Sequence, residues 1–211
     1  MMTLFAIRGS CSFASHVTLE ESGAKYGVYY VNADANEQHT PDYLKINPKG
    51  KVPVLKVSGK IITENVAIQY YIAQRFPEKK LCPLDIDCKM EWLSFISWIS
   101  NTVQPDARHV ARPEVYSDEP TTFPAIREKG KVTFSKWLRE FDKRLENGSW
   151  MMGDQFTTAD PYALVFVGVA KRLKISLTEF ENCAQWVRRM RERPAVRKVL
   201  ELEESPILDM D

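Results

Sequence analysis

Short apolar runs punctuated by turn residues occupy the N-terminal part of the chain, and longer apolar stripes at helical spacing occupy the rest. Residues 3–7 are β-rich and give way to Gly9-Ser10. Residues 13–21 then read as a helix closed by Ser22-Gly23, with glycine just past the helix end. Residues 28–31, with two tyrosines, supply the next strand. A strand, a helix and a strand make a right-handed crossover, so the two strands are expected to pair in parallel. Residues 32–42 are polar and without a period, and read as a loop with one turn of helix. Residues 54–57 and 60–62 flank Ser58-Gly59, a two-residue turn signal for an antiparallel hairpin. Residues 66–73 are apolar nearly all round and stop before Pro77, the pattern of a buried helix.

From 75 to 89 the prolines 77 and 83 and the charged Glu78-Lys79-Lys80 interrupt the periodicity, which marks a linker. Beyond it the pattern is helical. Met90, Leu93, Ile96 and Val103 share a face; the stretch from Arg112-Pro113 to Pro124 breaks it; Phe134, Trp137, Leu138, Phe141 and Leu145 then recur until Asn147-Gly148. Residues 161–169 are almost wholly apolar and suit the centre of a helical bundle. Phe180, Cys183, Val187 and Met190 form a further stripe, ended by Pro194. Thr157-Thr158-Ala159-Asp160 has the spacing of a capping box, in which the Thr157 hydroxyl reaches the third amide and Asp160 returns to the Thr157 N–H. Pro161 departs from the ideal because it lacks an N–H. The predicted fold class is an α/β thioredoxin-like N-terminal domain of βαβ-ββα order over 1–76, a linker at 77–86, and an all-α helical domain over 87–211.

Composition narrows the function. With 44% hydrophobic and 27% charged residues in 211, the chain has enough apolar matter for one large or two modest cores. Twenty-nine basic against 28 acidic side chains give a net charge of +1, which offers no field toward nucleic acid or an anionic membrane, so a small substrate is expected. No apolar run approaches the ~18 residues of a membrane helix. The N-terminal apolar segment is too short for a signal peptide, and a cytoplasmic location is the expectation. The cysteines at 11, 82, 88 and 183 form no CxxC, and His16, His39 and His109 stand singly, so free thiols and no metal are expected.

The stretch "NPKGKVPVL" at 47–55 sets Pro53 between two valines at the mouth of a strand, because proline cannot donate to a central ladder. A cis turn at Val52-Pro53 would leave the Val52 N–H and C=O outward, free to bond an extended peptide. Glu64-Asn65 opens the following helix, whose first amides can hold an anion. Cys11 lies between Ser10 and Ser12 where a strand gives way to a helix. Facing the helix amides would depress its pKa, whereas the bland reading is a small buried apolar residue. Ser10 and Ser12 either donate to a sulfur or cap the helix. Trp92, Phe95, Trp98, Met152 and Phe166 either wall an apolar pocket or form ordinary core.

"GSCSFASH", "NPKGKVPVL", "TENVAI" and "FTTADPY" together resemble the cytosolic glutathione transferases over most of the chain. Cys11, where other classes carry tyrosine or serine, makes the bacterial beta class the nearest resemblance. The resemblance implies an enzyme that takes glutathione as co-substrate, activates its thiol for attack on a small hydrophobic electrophile, and works as a homodimer in the cytoplasm. It gives Cys11 the contact with the glutathione sulfur. Val52 and Pro53 hold the cysteinyl backbone, Lys51 the glycine carboxylate, and Glu64 and Asn65 the γ-glutamyl end, with Ser10 a further candidate. Two features depart from the family pattern. The beta-class histidine in the first long helix of the second domain falls on Asn101 or on Gln104, depending on whether the alignment runs from Trp92-Leu93 or back from Arg112-Pro113. The family's lysine before "NPKG" is missing, Asn36 and Glu37 standing nearest. Two other readings keep the fold: thiol/disulfide exchange through Cys11, and a non-enzymatic ligand-binding protein.

Overall fold

A computed structural model describes residues 1–210. Strand β1 (Met2–Ala6) pairs in parallel with β2 (Tyr26–Tyr30) across helix α1 (Ser12–Ser22), as the crossover rule requires. Gly23 closes α1 at φ +70°, the left-handed position a Cβ disfavours. The polar loop after β2 contains the short helix α2 (Pro41–Leu44), capped by the Thr40 hydroxyl on the Tyr43 amide. The expected hairpin is β3 (Val54–Val57) and β4 (Lys60–Thr63); β3 also runs antiparallel to β1, giving the order β2-β1-β3-β4.

The sheet's two faces follow the period of two along β1. Leu4 and Ala6 join the main core beneath α1 and helix α3 (Asn65–Arg75), while Phe5 turns to a smaller cluster with Val31, Tyr43 and Val54 under the α2 loop. Helix α3 buries one face only, through Ile68, Gln69, Ile72 and Ala73. Tyr70 is 39% exposed, so the expectation of burial nearly all round was too strong.

The remaining chain is helical: α4 (Ile86–Trp98), α5 (Gln104–Ala111), α6 (Phe123–Arg144), α7 (Ala159–Arg172), α8 (Glu181–Glu192) and α9 (Pro194–Leu202). The face of α4 that packs inward carries Trp92, Phe95 and Ile96, continued by Ile99 and Val103. Met90 is 47% exposed and Leu93 half-buried, which corrects the expected stripe: the larger aromatic side chains take the core face. Pro194 begins a helix as well as following one. Its missing N–H costs nothing at a first helical position, and α9 went unread for that reason. Helix α7 is buried over nearly its whole length, as its composition demands. At its start Asp160 Oδ2 accepts from the Thr157 N–H at 2.9 Å, as expected, but the Thr157 hydroxyl accepts from Ala159 at 3.3 Å rather than from the third amide. Asp160 Oδ1 accepts from the Met151 N–H and the Trp186 indole, so the carboxylate ties α7 to α8 and to the preceding turn.

One core runs through both halves of the chain, from Leu4 through Trp92 to Trp186. The C-terminal segment is further held to α1 by a bidentate pair between Arg193 and Glu21, at 2.8 and 2.9 Å. The four cysteines are free thiols. Among the described residues no helix is long and apolar enough to cross a membrane.

Candidate active-site cleft

Between β1 and α1 the chain makes a tight loop fixed by its own hydroxyls. Ser12 Oγ bonds both the N–H and the C=O of Ile7 at 3.1 Å, and Ser10 Oγ accepts from the Ser12 N–H while contacting Ser12 Oγ at 2.8 Å. Ser10 thus caps the first amide of the helix, while the Ser12 hydroxyl turns back onto Ile7. The loop is also gripped from outside. The buried Glu203 carboxylate accepts from the Gly9 N–H at 3.3 Å and pairs with the buried His16 Nδ1 at 2.9 Å. Asn65 donates to the Cys11 carbonyl at 2.6 Å and accepts from the Ser15 hydroxyl at 2.5 Å. The Asn65 side chain thus joins α3 to α1 through its oxygen and one amide N–H, and its second amide N–H makes no bond among the described residues. The backbone N–H groups of Asn65 and Val66, at the open end of α3, have no acceptor among the described residues.

Above this floor lies a cleft of about 770 Å3 between residues 47–65 and α5. The structure brings Ser10, Cys11, Lys51, Val52, Pro53, Glu64, Asn65, Asn101 and Gln104 to it. Asn36 does not line it; its side-chain oxygen accepts from Gln38, and Gln38 and His39 carry that loop to the rim. The Val52-Pro53 bond is cis. Among the described residues nothing accepts from the Val52 N–H, and its carbonyl meets only the Cys11 thiol, at 3.9 Å. The turn before it requires glycine twice over: Gly50 has φ +60°, and a Cβ there would lie 2.7 Å from His39 Nδ1. Glu64 also holds a left-handed φ of +70°, and its carboxylate meets Lys49 Nζ at 2.6 Å.

The helical wall owes its shape to a proline. Residues Ile99–Val103 form one π turn between α4 and α5, with the Gln104 N–H bonded to Ile99 O. An α-helical Pro105 would clash with the carbonyl four residues back and leave it unpaired, and the wider turn avoids that register. Gln104 settles over the sulfur, Nε2 at 3.8 Å from Cys11 Sγ. The buried Tyr162 hydroxyl donates to Gln104 Oε1 at 3.3 Å, which turns the amide's N–H face toward the sulfur. Between the two candidates for the family histidine, Gln104 is the one that touches the thiol; Asn101 lines the cleft without a bond to it.

The Cys11 thiol is not depressed. Burial pushes it from 9.0 up to about 11; the Gln104 amide, the Arg108 charge and the local backbone pull the other way, and Glu64 adds to the rise. Cys11 itself caps α1 in helical geometry (φ −62°, ψ −14°), with no side-chain bond to the helix amides. The pull of the local backbone is too weak to outweigh burial, and the expected thiolate stabilisation is missing.

Trp92, Phe95 and Phe166 are core, and neither Trp98 nor Met152 reaches the cleft, whose walls are mixed rather than apolar. Arg108, Tyr116 and Tyr162 were not foreseen. Arg108 follows Gln104 by one helical turn, so fixing Gln104 at the sulfur would have brought it in. Tyr162 is hidden in an apolar run, where only its hydroxyl marks it. Among the described residues no three His, Cys, Asp or Glu side chains are grouped to hold a metal.

The families described as "Glutathione S-transferase, N-terminal domain" and "Glutathione S-transferase, C-terminal domain" match residues 1–74 and 109–194. Glutathione S-transferase GstA of Escherichia coli O157:H7 is 32% identical over 206 residues, which is 96% of this chain and 98% of that protein. A glutathione transferase homolog from Sulfitobacter, solved with bound glutathione, superposes with a TM-score of 0.90 at 26% identity, over 96% of this chain and 98% of the other. The bacterial beta class enzyme of Sphingomonas chungbukensis superposes at 0.84 with 27% identity, over 95% and 98%.

Proposed function

The chain belongs to the glutathione S-transferase family, and from that premise we propose that it holds glutathione in this cleft and activates its thiol for transfer to a small electrophile. One observation carries the reading: the Cys11 thiol, the unpaired Val52 backbone and the open amides of α3 converge on a single cleft. Glutathione is an extended tripeptide with a thiol at its middle residue and a free amino-acid end, and each feature answers one part of it. Val52 exchanges backbone bonds with the cysteinyl unit in the manner of an added strand, with Pro53 fixing the turn. The first amides of α3 take the γ-glutamyl carboxylate. Glu64 takes the ammonium in place of Lys49, and Lys51 the glycine carboxylate.

The ligand sulfur then meets two donors, the Cys11 S–H and the Gln104 amide, beside the Arg108 charge. Hydrogen bonds to the charged form favour it, so the glutathione proton is lost to solvent more readily than in water. The thiolate attacks the electrophilic carbon while the leaving group departs with its bonding pair. Ile7, Pro105 and Val115 offer apolar contact for the electrophile's body. Disulfide exchange through Cys11 is not favoured, because exchange needs a thiolate and burial holds this residue as a thiol.

The beta-class assignment rests on the cysteine at 11 and on the Sphingomonas likeness. The division at 77–86, a homodimer and a cytoplasmic location belong to the same proposal. Exposed Tyr70, Leu84, Ile86 and Met90 on α3 and around the start of α4 support a self-contact, and light scattering should give twice the 24.3 kDa chain mass. The deciding experiment is calorimetric titration with glutathione, joined to turnover of chlorodinitrobenzene. Glu64→Gln should raise KM for glutathione about tenfold, the loss of one charge-assisted bond. Wild-type protein that fails to bind glutathione would overturn the proposal.

A further inference from the structure

Gln104, Arg108 and Arg112 recur every four residues along α5 and its C-terminal cap, and all three line the cleft. Their situations differ. Gln104 is committed to the sulfur and to Tyr162. Arg112 is paired with Glu114 at 2.9 Å and lies largely in solvent. Arg108 is half-buried, yet its guanidinium has no hydrogen-bond or ion-pair partner among the described residues. Five N–H donors in a fixed fork are thus left facing the cleft, an arrangement that favours an anion with two acceptor oxygens.

The cleft as a whole leans the same way. Lys49, Lys51, Arg108 and Arg112 line it against the single carboxylate of Glu64. Glu64 already holds Lys49 and Glu114 already holds Arg112, while Arg108 and Lys51 stay uncommitted. Lys51 lies on the Val52 side and Arg108 on the helical wall. Arg108 stands about one helical turn, ~5.4 Å, beyond the residue that contacts the sulfur. Next to it Tyr116 is held in place: its hydroxyl donates to Pro105 O at 3.1 Å and its ring stacks on His109 at 3.9 Å. A fixed aromatic face beside an unpaired guanidinium matches a flat molecule that ends in a carboxylate.

We propose that the electrophile this cleft selects carries a carboxylate, bound by Arg108, with its planar body against Tyr116 and its reacting carbon toward Cys11. The inference rests on the transferase reading for the position of the attacking sulfur. For a chlorinated nitrobenzoate the step balances simply. The glutathione sulfur forms a bond to the ring carbon, chloride leaves with the C–Cl electron pair, and the thiol proton goes to water.

The test compares para-chloro-dinitrobenzoate with its methyl ester at saturating glutathione, using wild type, Arg108→Gln and Arg108→Lys. The two compounds differ in intrinsic reactivity, but that difference cancels when each variant's acid-to-ester ratio of kcat/KM is divided by the wild-type ratio. The ratio should fall about tenfold in the glutamine variant, as for loss of one charge-assisted contact, and recover in part with lysine. An acid-to-ester ratio that Arg108→Gln leaves within twofold of wild type overturns the inference, as an order-of-magnitude criterion. Far-UV circular dichroism and the melting temperature report that each variant is folded.

A second measurement separates this from failure of the transferase reading. Para-nitrobenzoate and its methyl ester are titrated into protein loaded with S-methylglutathione, which cannot react. If neither chlorinated compound is turned over but the acid binds more tightly than the ester in an Arg108-dependent way, the anion subsite stands and the transferase reading falls. Equal binding of acid and ester to wild type overturns the subsite whatever the turnover.

Discussion

Cys11 should behave as a sluggish thiol in the ligand-free protein, and the size of the effect can be worked out. Burial lifts it from 9.0 to about 11 despite the Gln104 amide and the Arg108 charge. Two units cut the thiolate fraction near neutrality ~100-fold relative to an ordinary cysteine. A thiolate of higher pKa is the better nucleophile, and a Brønsted slope of ~0.4–0.5 returns roughly eightfold. The net expectation is alkylation by iodoacetamide about tenfold slower than that of an unstructured cysteine peptide at the same pH. The assay is site-resolved mass spectrometry of Cys11 over a pH series, with the exposed Cys88 as an internal comparison. The midpoint decides, not the absolute rate, because hindered access slows alkylation equally at every pH. A rate still climbing through pH ~10 agrees with the burial argument. A plateau with its midpoint below about 7 would refute it, and would mean that the amides at the start of α1 and the Arg108 charge outweigh desolvation.

Two further outcomes follow from buried bonds. Asp160→Ala strips the acceptor from three buried donors, at Met151, Thr157 and Trp186. At ~1–3 kcal/mol per orphaned donor the loss should be roughly 3–9 kcal/mol, a large part of a domain's stability. Urea unfolding followed by tryptophan fluorescence at fixed protein concentration measures it, and a loss under about 1 kcal/mol would contradict the accounting. Asn65→Ala leaves the Cys11 carbonyl and the Ser15 hydroxyl without their partner, which should cost about 2 kcal/mol and raise KM for glutathione. A lowered melting temperature with unchanged KM would confine Asn65 to a structural part.

Where a feature depends on one or two neighbouring residues, the chain is legible. Gly23 ends α1, Ser58-Gly59 makes the hairpin, and Pro53 stands at the mouth of β3 because each of these choices is made locally. The apolar run of α7 announces a bundle centre for the same reason. Legibility fails where one residue type serves two purposes. Pro194 ends one helix and begins the next, and Cys11 in capping position reads as activated although its sulfur makes no bond to the helix. It fails again where partners are distant in the chain. Glu203 grips Gly9, Asn65 reaches Cys11, and Arg108 lines the thiol's cleft from the other half of the molecule. The inward face of α4 was misjudged because apolar residues occur on more than one side of it, and only packing chooses between Met90 and Trp92.

The cleft also bears on how a transferase works without a base in the usual place. Gln104 cannot accept a proton from a thiol at ordinary pH, and the Arg108 guanidinium cannot either. What the two can do is stabilise the ion once it forms. Tyr162 turns the Gln104 oxygen away, so the amide presents N–H to the sulfur; Cys11, kept neutral by burial, has an S–H to donate; Arg108 supplies charge without a proton to exchange. A depressed Cys11 would defeat this arrangement, since a protein thiolate beside a ligand thiolate places two like charges together, and each would raise the other's pKa. The raised value of Cys11 is therefore a condition of the proposed chemistry and not an obstacle to it. The same burial that makes the residue a poor nucleophile makes it a dependable donor to the sulfur that does react.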